Sequence, residues 1–156
     1  MPDKKHFKLP ETFDIQGVQI FAPGQWNGDK YTEKDIEELV SAFNETGQTV
    51  RPFLKIGHDK EQGLVQKDGM PAVGWIEKLR KVGGKLVADF TKVPKKIFDL
   101  IKAGAYRKVS SEIFFNVTVA GKKFPRLLKA VAILGGDTPA VQTLDDIISL
   151  YKYKMT

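Results

Sequence analysis

Apolar and polar positions partly alternate from Phe13 to Phe21 in a segment rich in β-formers, which predicts a strand or hairpin arm before the turn signals Pro23-Gly24 and Asn27-Gly28. The period then changes. Ile36, Leu39, Val40 and Phe43 recur at helical spacing behind Thr32 and Asp35, a capping box with Asp in place of Glu, so residues 33–45 are expected to form an amphipathic helix. Val50 to Ile56 reads as a short buried strand that delivers the chain to Gly57-His58-Asp59, and the polar stretch Lys60 to Met70 reads as a surface loop that borders a cleft. Val73–Leu79 and Lys85–Phe90 meet at Gly83-Gly84, a pair that supplies the positive φ a tight hairpin needs. Pro94 stands at a helix start, Ile97, Phe98, Leu100 and Ile101 give an apolar face, and Gly104 suits the position just past the helix end. A long strand pattern runs from Tyr106 to Val119, a nearly continuous apolar strand from Leu127 to Leu134, and a Thr-capped helical pattern from Thr143 to Tyr151.

Strands dominate, helices flank them, and no βαβ period repeats. The expected class is α+β: one domain over residues 1–156, a mainly antiparallel sheet or small β-barrel with about three helices around it. The chain has no cysteine and two histidines, so a disulfide framework, a thiolate zinc site and a histidine-rich metal centre are excluded, and no metal or cofactor is expected. No apolar run approaches the ~20 residues of a membrane span, which leads us to expect a soluble cytoplasmic protein without a membrane partner. A formal charge of +6 would suit a polyanion, yet Lys4-Lys5, Lys95-Lys96, Lys122-Lys123 and Lys152/Lys154 lie in separate segments without aromatic interleaving. A solvated surface is the simpler reading, and nucleic acid is not the expected partner.

The period-two strand around Ser110 has two unlike faces. Val109, Ser111, Ile113, Phe115, Val117 and Val119 form an apolar set expected to pack inward, while Lys108, Ser110, Glu112, Phe114 and Asn116 form the more polar set. Ser110 is therefore the better exposed of the two adjacent serines. A serine hydroxyl needs a base within hydrogen-bond reach to act as a nucleophile. Of the imidazoles, His6 lies near the N-terminus and His58 ends a predicted strand beside Gly57, so His58 is the candidate base by elimination. Spacing alone does not establish such a pair, because a serine and a histidine fifty residues apart occur in any domain.

The chain resembles the Mu-type phage capsid-maturation (prohead) proteases, which are related to the herpesvirus assemblin-like serine proteases. The resemblance runs through Phe7–Phe13, Tyr31–Asp35, Lys55-Ile56-Gly57-His58-Asp59, Pro71–Ile76, Leu86–Phe90, Gly104–Ile113 and Leu128–Gly136 to Pro139–Val141. It implies a small β-barrel ringed by helices, His58 as general base and the serine of Tyr106-Arg107-Lys108-Val109-Ser110 as nucleophile. It further implies a serine endopeptidase that acts inside the assembling prohead in the host bacterial cytoplasm. Its partners would be the phage scaffold protein and the major capsid protein, and a homo-oligomer is allowed. A scaffolding segment that can follow such a protease domain is not in this chain, which would suit a truncated or self-processed form.

The third catalytic group stays open, because relatives often carry His or Glu where Ala130 stands here. Glu112 is on the face of Ser110, Asp59 adjoins His58, and Asp29 precedes the histidine; we rank Glu112 first and Asp29 second. Gly135-Gly136 is the candidate oxyanion site, with Arg107 or Arg126 as alternatives, and Trp75 and Phe114 are candidates for lining a substrate groove. Two rival readings remain: an inactive capsid-assembly module of the same fold, favoured by Ala130, and a basic nucleic-acid-binding β domain, favoured by the charge.

Overall fold

The computed structural model describes residues 11–57, 72–136, 139 and 141–147. Eight strands and two helices follow one another in the order β1 (Thr12–Phe21), β2 (Gly24–Trp26), β3 (Asp29–Tyr31), α1 (Glu33–Thr46), β4 (Phe53–Ile56), β5 (Trp75–Val82), β6 (Lys85–Pro94), α2 (Lys95–Lys102), β7 (Lys108–Val119) and β8 (Lys122–Leu134). Six strands make one sheet in the order β1-β6-β5-β4-β8-β7, and β2 with β3 makes a small separate ribbon. The class is α+β. Every pairing is antiparallel except β4 with β8, whose parallel register sets Phe53 against Ala130 and Lys55 against Ala132.

Two expectations of the fold need correction. The barrel is not closed: the edge strands β1 and β7 meet through the Ser111 hydroxyl, which donates to the Ile20 carbonyl at 2.7 Å, where a closed barrel would need a backbone ladder. The helices among the described residues are two, not three. Residues 143–147, the start of the expected closing helix, form turns and irregular chain, pinned by the Ile147 amide donating to the Arg107 carbonyl at 2.9 Å; residues 148–151 lie outside the described residues.

Local chemistry accounts for the element boundaries. Thr32 and Asp35 form the expected capping box at the start of α1, each side chain accepting from the other residue's backbone amide, and Ile36, Leu39, Ala42 and Phe43 are the buried stripe. Fully burying Ile36 or Leu39 stabilises the packing by about 1.5–3 kcal/mol each. The β5–β6 hairpin turns on Gly83 and Gly84, with φ of 57° and 79°. Helix α2 ends as its sequence predicts. Gly104 takes φ 86°, its amide donates to the Ile101 carbonyl and that of Ala105 to Leu100, a Schellman closure. The core lies between the inner faces of the curled sheet and α1, and it draws on Ile20, Ile36, Leu54, Ile76, Phe90, Leu128, Val131 and Ile133.

Candidate active site

Strand β7 is an edge strand, and its register with β8 fixes what surrounds Ser110. Ser110 is paired with Ala132 and Glu112 with Ala130; on the far side of β8 the same two alanines are paired with Lys55 and Phe53 of β4. Side chains directly opposite one another in a ladder project to the same face. Ser110, Ala132 and Lys55 therefore stand in one row, and Glu112, Ala130 and Phe53 in the next. The register slips by one residue between Glu112 and Ile113, so Lys129 is an extra residue on β8 beside Glu112.

The grouping of the two β7 faces agrees with this register, but their exposure does not. Ser110 is buried, at 8% relative exposure, so it is not the better exposed serine. The physical reason is the neighbourhood of β8 and β4: Ala130, Ala132 and Lys55 of that same face are all buried. Ser111 is the half-buried one, and its hydroxyl is committed to the Ile20 carbonyl. The Ser110 hydroxyl has no hydrogen-bond partner among the described residues.

Both serines reach a cleft of about 220 Å³ at the seam between the end of β1, the β2–β3 ribbon and β7. Its lining includes Phe21, Trp26, Tyr31 and Phe115, with Asp29 as its one charged member among the described residues. The volume suits a single side chain of a larger substrate; pockets that enclose whole small molecules begin at roughly 300 Å³. The ribbon is anchored locally, since Trp26 Nε1–H donates to the Ala22 carbonyl at 2.8 Å and Tyr31 packs edge-on to Phe21. Burial raises the Tyr31 phenol above its ordinary value and the Asp29 charge adds to this, against the opposing pull of Arg126. Arg126 stacks on the Tyr31 ring at 4.6 Å and pairs with Asp35 at 2.8 Å, while its buried Nε–H has no partner among the described residues.

The candidate residues are thus distributed unevenly. Ser110 and Asp29 line one cleft. Glu112 lies on the Ser110 face, where its carboxylate accepts from Lys55 Nζ at 3.1 Å, with Lys129 Nζ at 4.0 Å. His58, His6 and Asp59 lie outside the described residues; Gly57, the chain neighbour of His58, continues the β4–β8 pairing with its amide donating to the Ile133 carbonyl at 3.0 Å. Gly135 and Gly136 stand three and four residues beyond Ala132, roughly 10 Å along the strand from the Ser110 row, so the structure does not bring their amides to that hydroxyl. Arg107 is engaged with Asp146 on the surface. Trp75 is not a core residue: it is 37% exposed and edge-on to Phe53, and neither it nor Phe114 lines the cleft.

Sequence reasoning missed Lys55, Trp26, Tyr31 and Phe115. A signal existed for Lys55, a charge set between Leu54 and Ile56 in a run otherwise read as a buried strand. The ribbon strands are three residues each, too short for a period to show. Among the described residues there is no cluster of acids, histidines or cysteines able to hold a metal ion, and no helix long and apolar enough to cross a membrane. Compared with protein-family models, curated proteins and solved structures, the chain matches none.

Proposed function

We propose that the chain is a serine endopeptidase of the capsid-maturation type, with Ser110 as nucleophile and His58 as general base. The observation that carries this reading is the contrast between the two serines of β7. Ser111 spends its hydroxyl on a structural bond across the sheet seam, whereas Ser110, also among the residues that border the cleft, has no hydrogen-bond partner for its hydroxyl among the described residues. In the reaction His58 takes the Ser110 proton as Oγ attacks a peptide carbonyl; the tetrahedral oxyanion collapses to an acyl-enzyme and the leaving amine receives the proton from the imidazolium. Water, deprotonated by His58, then releases the new carboxylate and restores the serine. The cleft receives one substrate side chain, and the scaffold and major capsid proteins of an assembling phage head are the substrates that the sequence resemblance suggests.

A fluorophosphonate probe tests this directly, with adduct formation read by intact mass. Wild type and Ser111→Ala are expected to gain one phosphonyl group, and Ser110→Ala and His58→Ala to gain none. Labelling that persists in Ser110→Ala removes Ser110 from the mechanism. A folded wild type that never labels removes the hydrolase reading altogether and leaves the same fold as an inactive assembly module.

A further inference from the structure

Lys55 is the anomaly of the sheet. It sits at the middle of β4 with 1% of its side chain exposed, and an ammonium taken out of water costs several kcal/mol unless a counter-charge meets it. That counter-charge comes from two strands away. Lys55 and Glu112 are separated by β8, about 9.5 Å between strand axes, and the lysine stem crosses that gap above Ala130 and Ala132 to put Nζ 3.1 Å from the carboxylate. A larger residue at either alanine would block the crossing, because both are fully buried under it.

The row positions connect this pair to Ser110. Lys55 and Ser110 flank Ala132, and Glu112 is the next residue of β7 on the same face. The pair therefore ties β7, which carries the serine, to β4, which leads into His58. Resting on the serine-hydrolase reading above, we infer that Lys55 is a positioning residue that holds the Glu112 carboxylate in place as the acidic member of the site. The acid is then supplied from the nucleophile's own strand. Ala130, where relatives often carry His or Glu, is small because the Lys55 stem passes over it.

A purely structural strand tie and a positioned carboxylate respond differently to two double variants. Lys55→Met with Glu112→Leu replaces the pair by apolar side chains of similar size, a change that commonly leaves stability intact. Lys55→Glu with Glu112→Lys keeps an ion pair and the tie but moves the carboxylate to β4. The maximal rate of fluorophosphonate labelling and the half-saturating probe concentration are measured on each, alongside thermal melting. Both variants are expected to lose about 100-fold in maximal rate, the usual scale for a displaced catalytic constellation, with half-saturation within about twofold of wild type. If either folded variant labels within about threefold of wild type, Lys55 and Glu112 are a strand tie and the inference is overturned. A folded wild type that does not label at all sinks the hydrolase reading and this inference with it, an outcome distinct from normal labelling of the variants.

Discussion

At the β1–β6–β5 end of the sheet Asp89 pairs with Arg80, and at the β4–β8–β7 end Glu112 pairs with Lys55. The two pairs have similar geometry, 2.9 Å and 3.1 Å, and in both the carboxylate is largely covered. They differ in the cation. Arg80 keeps 43% of its side chain in water, whereas Lys55 keeps 1%. Asp89 also has a local task, because one of its oxygens accepts the Gly17 amide at 2.9 Å where β1 carries an extra residue in its register with β6. An exposed arginine beside a carboxylate that caps a bulge is explained by the fold. A lysine fully buried in the Ser110 row costs desolvation, and the bulge beside Glu112 brings Lys129, not Lys55, next to that carboxylate.

The comparison breaks most visibly when one partner is removed. Glu112→Leu takes the Glu112 carboxylate away from the buried Lys55 ammonium, and the expected loss is about 3–5 kcal/mol of unfolding free energy in urea. Adding Lys55→Met to it should return most of that loss, since the buried ammonium that Glu112 met is then gone. Single and double variants of equal stability would show that the Lys55 head group reaches water without Glu112, and the contrast with Arg80 would disappear.

At the other end the expected effect is smaller and is restored by a neutral residue. Asp89→Leu leaves the Gly17 amide without its acceptor, at a cost of about 1–3 kcal/mol. Asp89→Asn keeps an oxygen for that amide and loses the pair with the half-exposed Arg80, so it should recover most of the stability and leave fluorophosphonate labelling of Ser110 unchanged. Labelling that falls with Asp89→Asn would place both pairs in one network and dissolve the distinction between them.

The elements were legible where one segment carries its own signal. The capping box of Thr32 and Asp35, the Gly83-Gly84 turn and the Schellman end at Gly104 each depend on residues a few positions apart, and each formed as read. The site was legible only in part, because its environment is set across strands. The alternation of β7 separates the Ser110 face from the Ser111 face correctly, yet which face is covered is decided by Ala130, Ala132 and Lys55, up to 57 residues away from Glu112 in sequence. Asp29 joined the Ser110 cleft through a ribbon too short to show a period, and the barrel failed to close because β1 and β7 share a side-chain bond at Ser111 in place of a ladder.

The mildest case lies between the two ends, at the start of α1, where Asp35 accepts from the Thr32 amide at 2.8 Å and pairs with Arg126 at 2.8 Å. The Thr32 backbone bond chiefly holds the Asp35 carboxyl below its ordinary value, against a smaller opposing effect of burial, and Arg126 adds to the lowering. Arg80 and the Gly17 amide likewise outweigh burial at Asp89 and hold it low. A carboxyl whose folded value lies below its unfolded one, near ~3.9, binds fewer protons in the native state at mild acidity. Its contribution is therefore complete above about pH 4 and is lost as the pH falls through the folded value. Thr32→Ala removes the hydroxyl half of the box and should cost about 1 kcal/mol at neutral pH, read as a lowered urea midpoint with an unchanged slope. Because the Thr32 amide still reaches Asp35, the acid-induced loss should persist in Thr32→Ala and shrink in Asp35→Asn. An acid transition of the same size in Asp35→Asn and wild type would assign that loss to Asp89 and the other carboxyls instead.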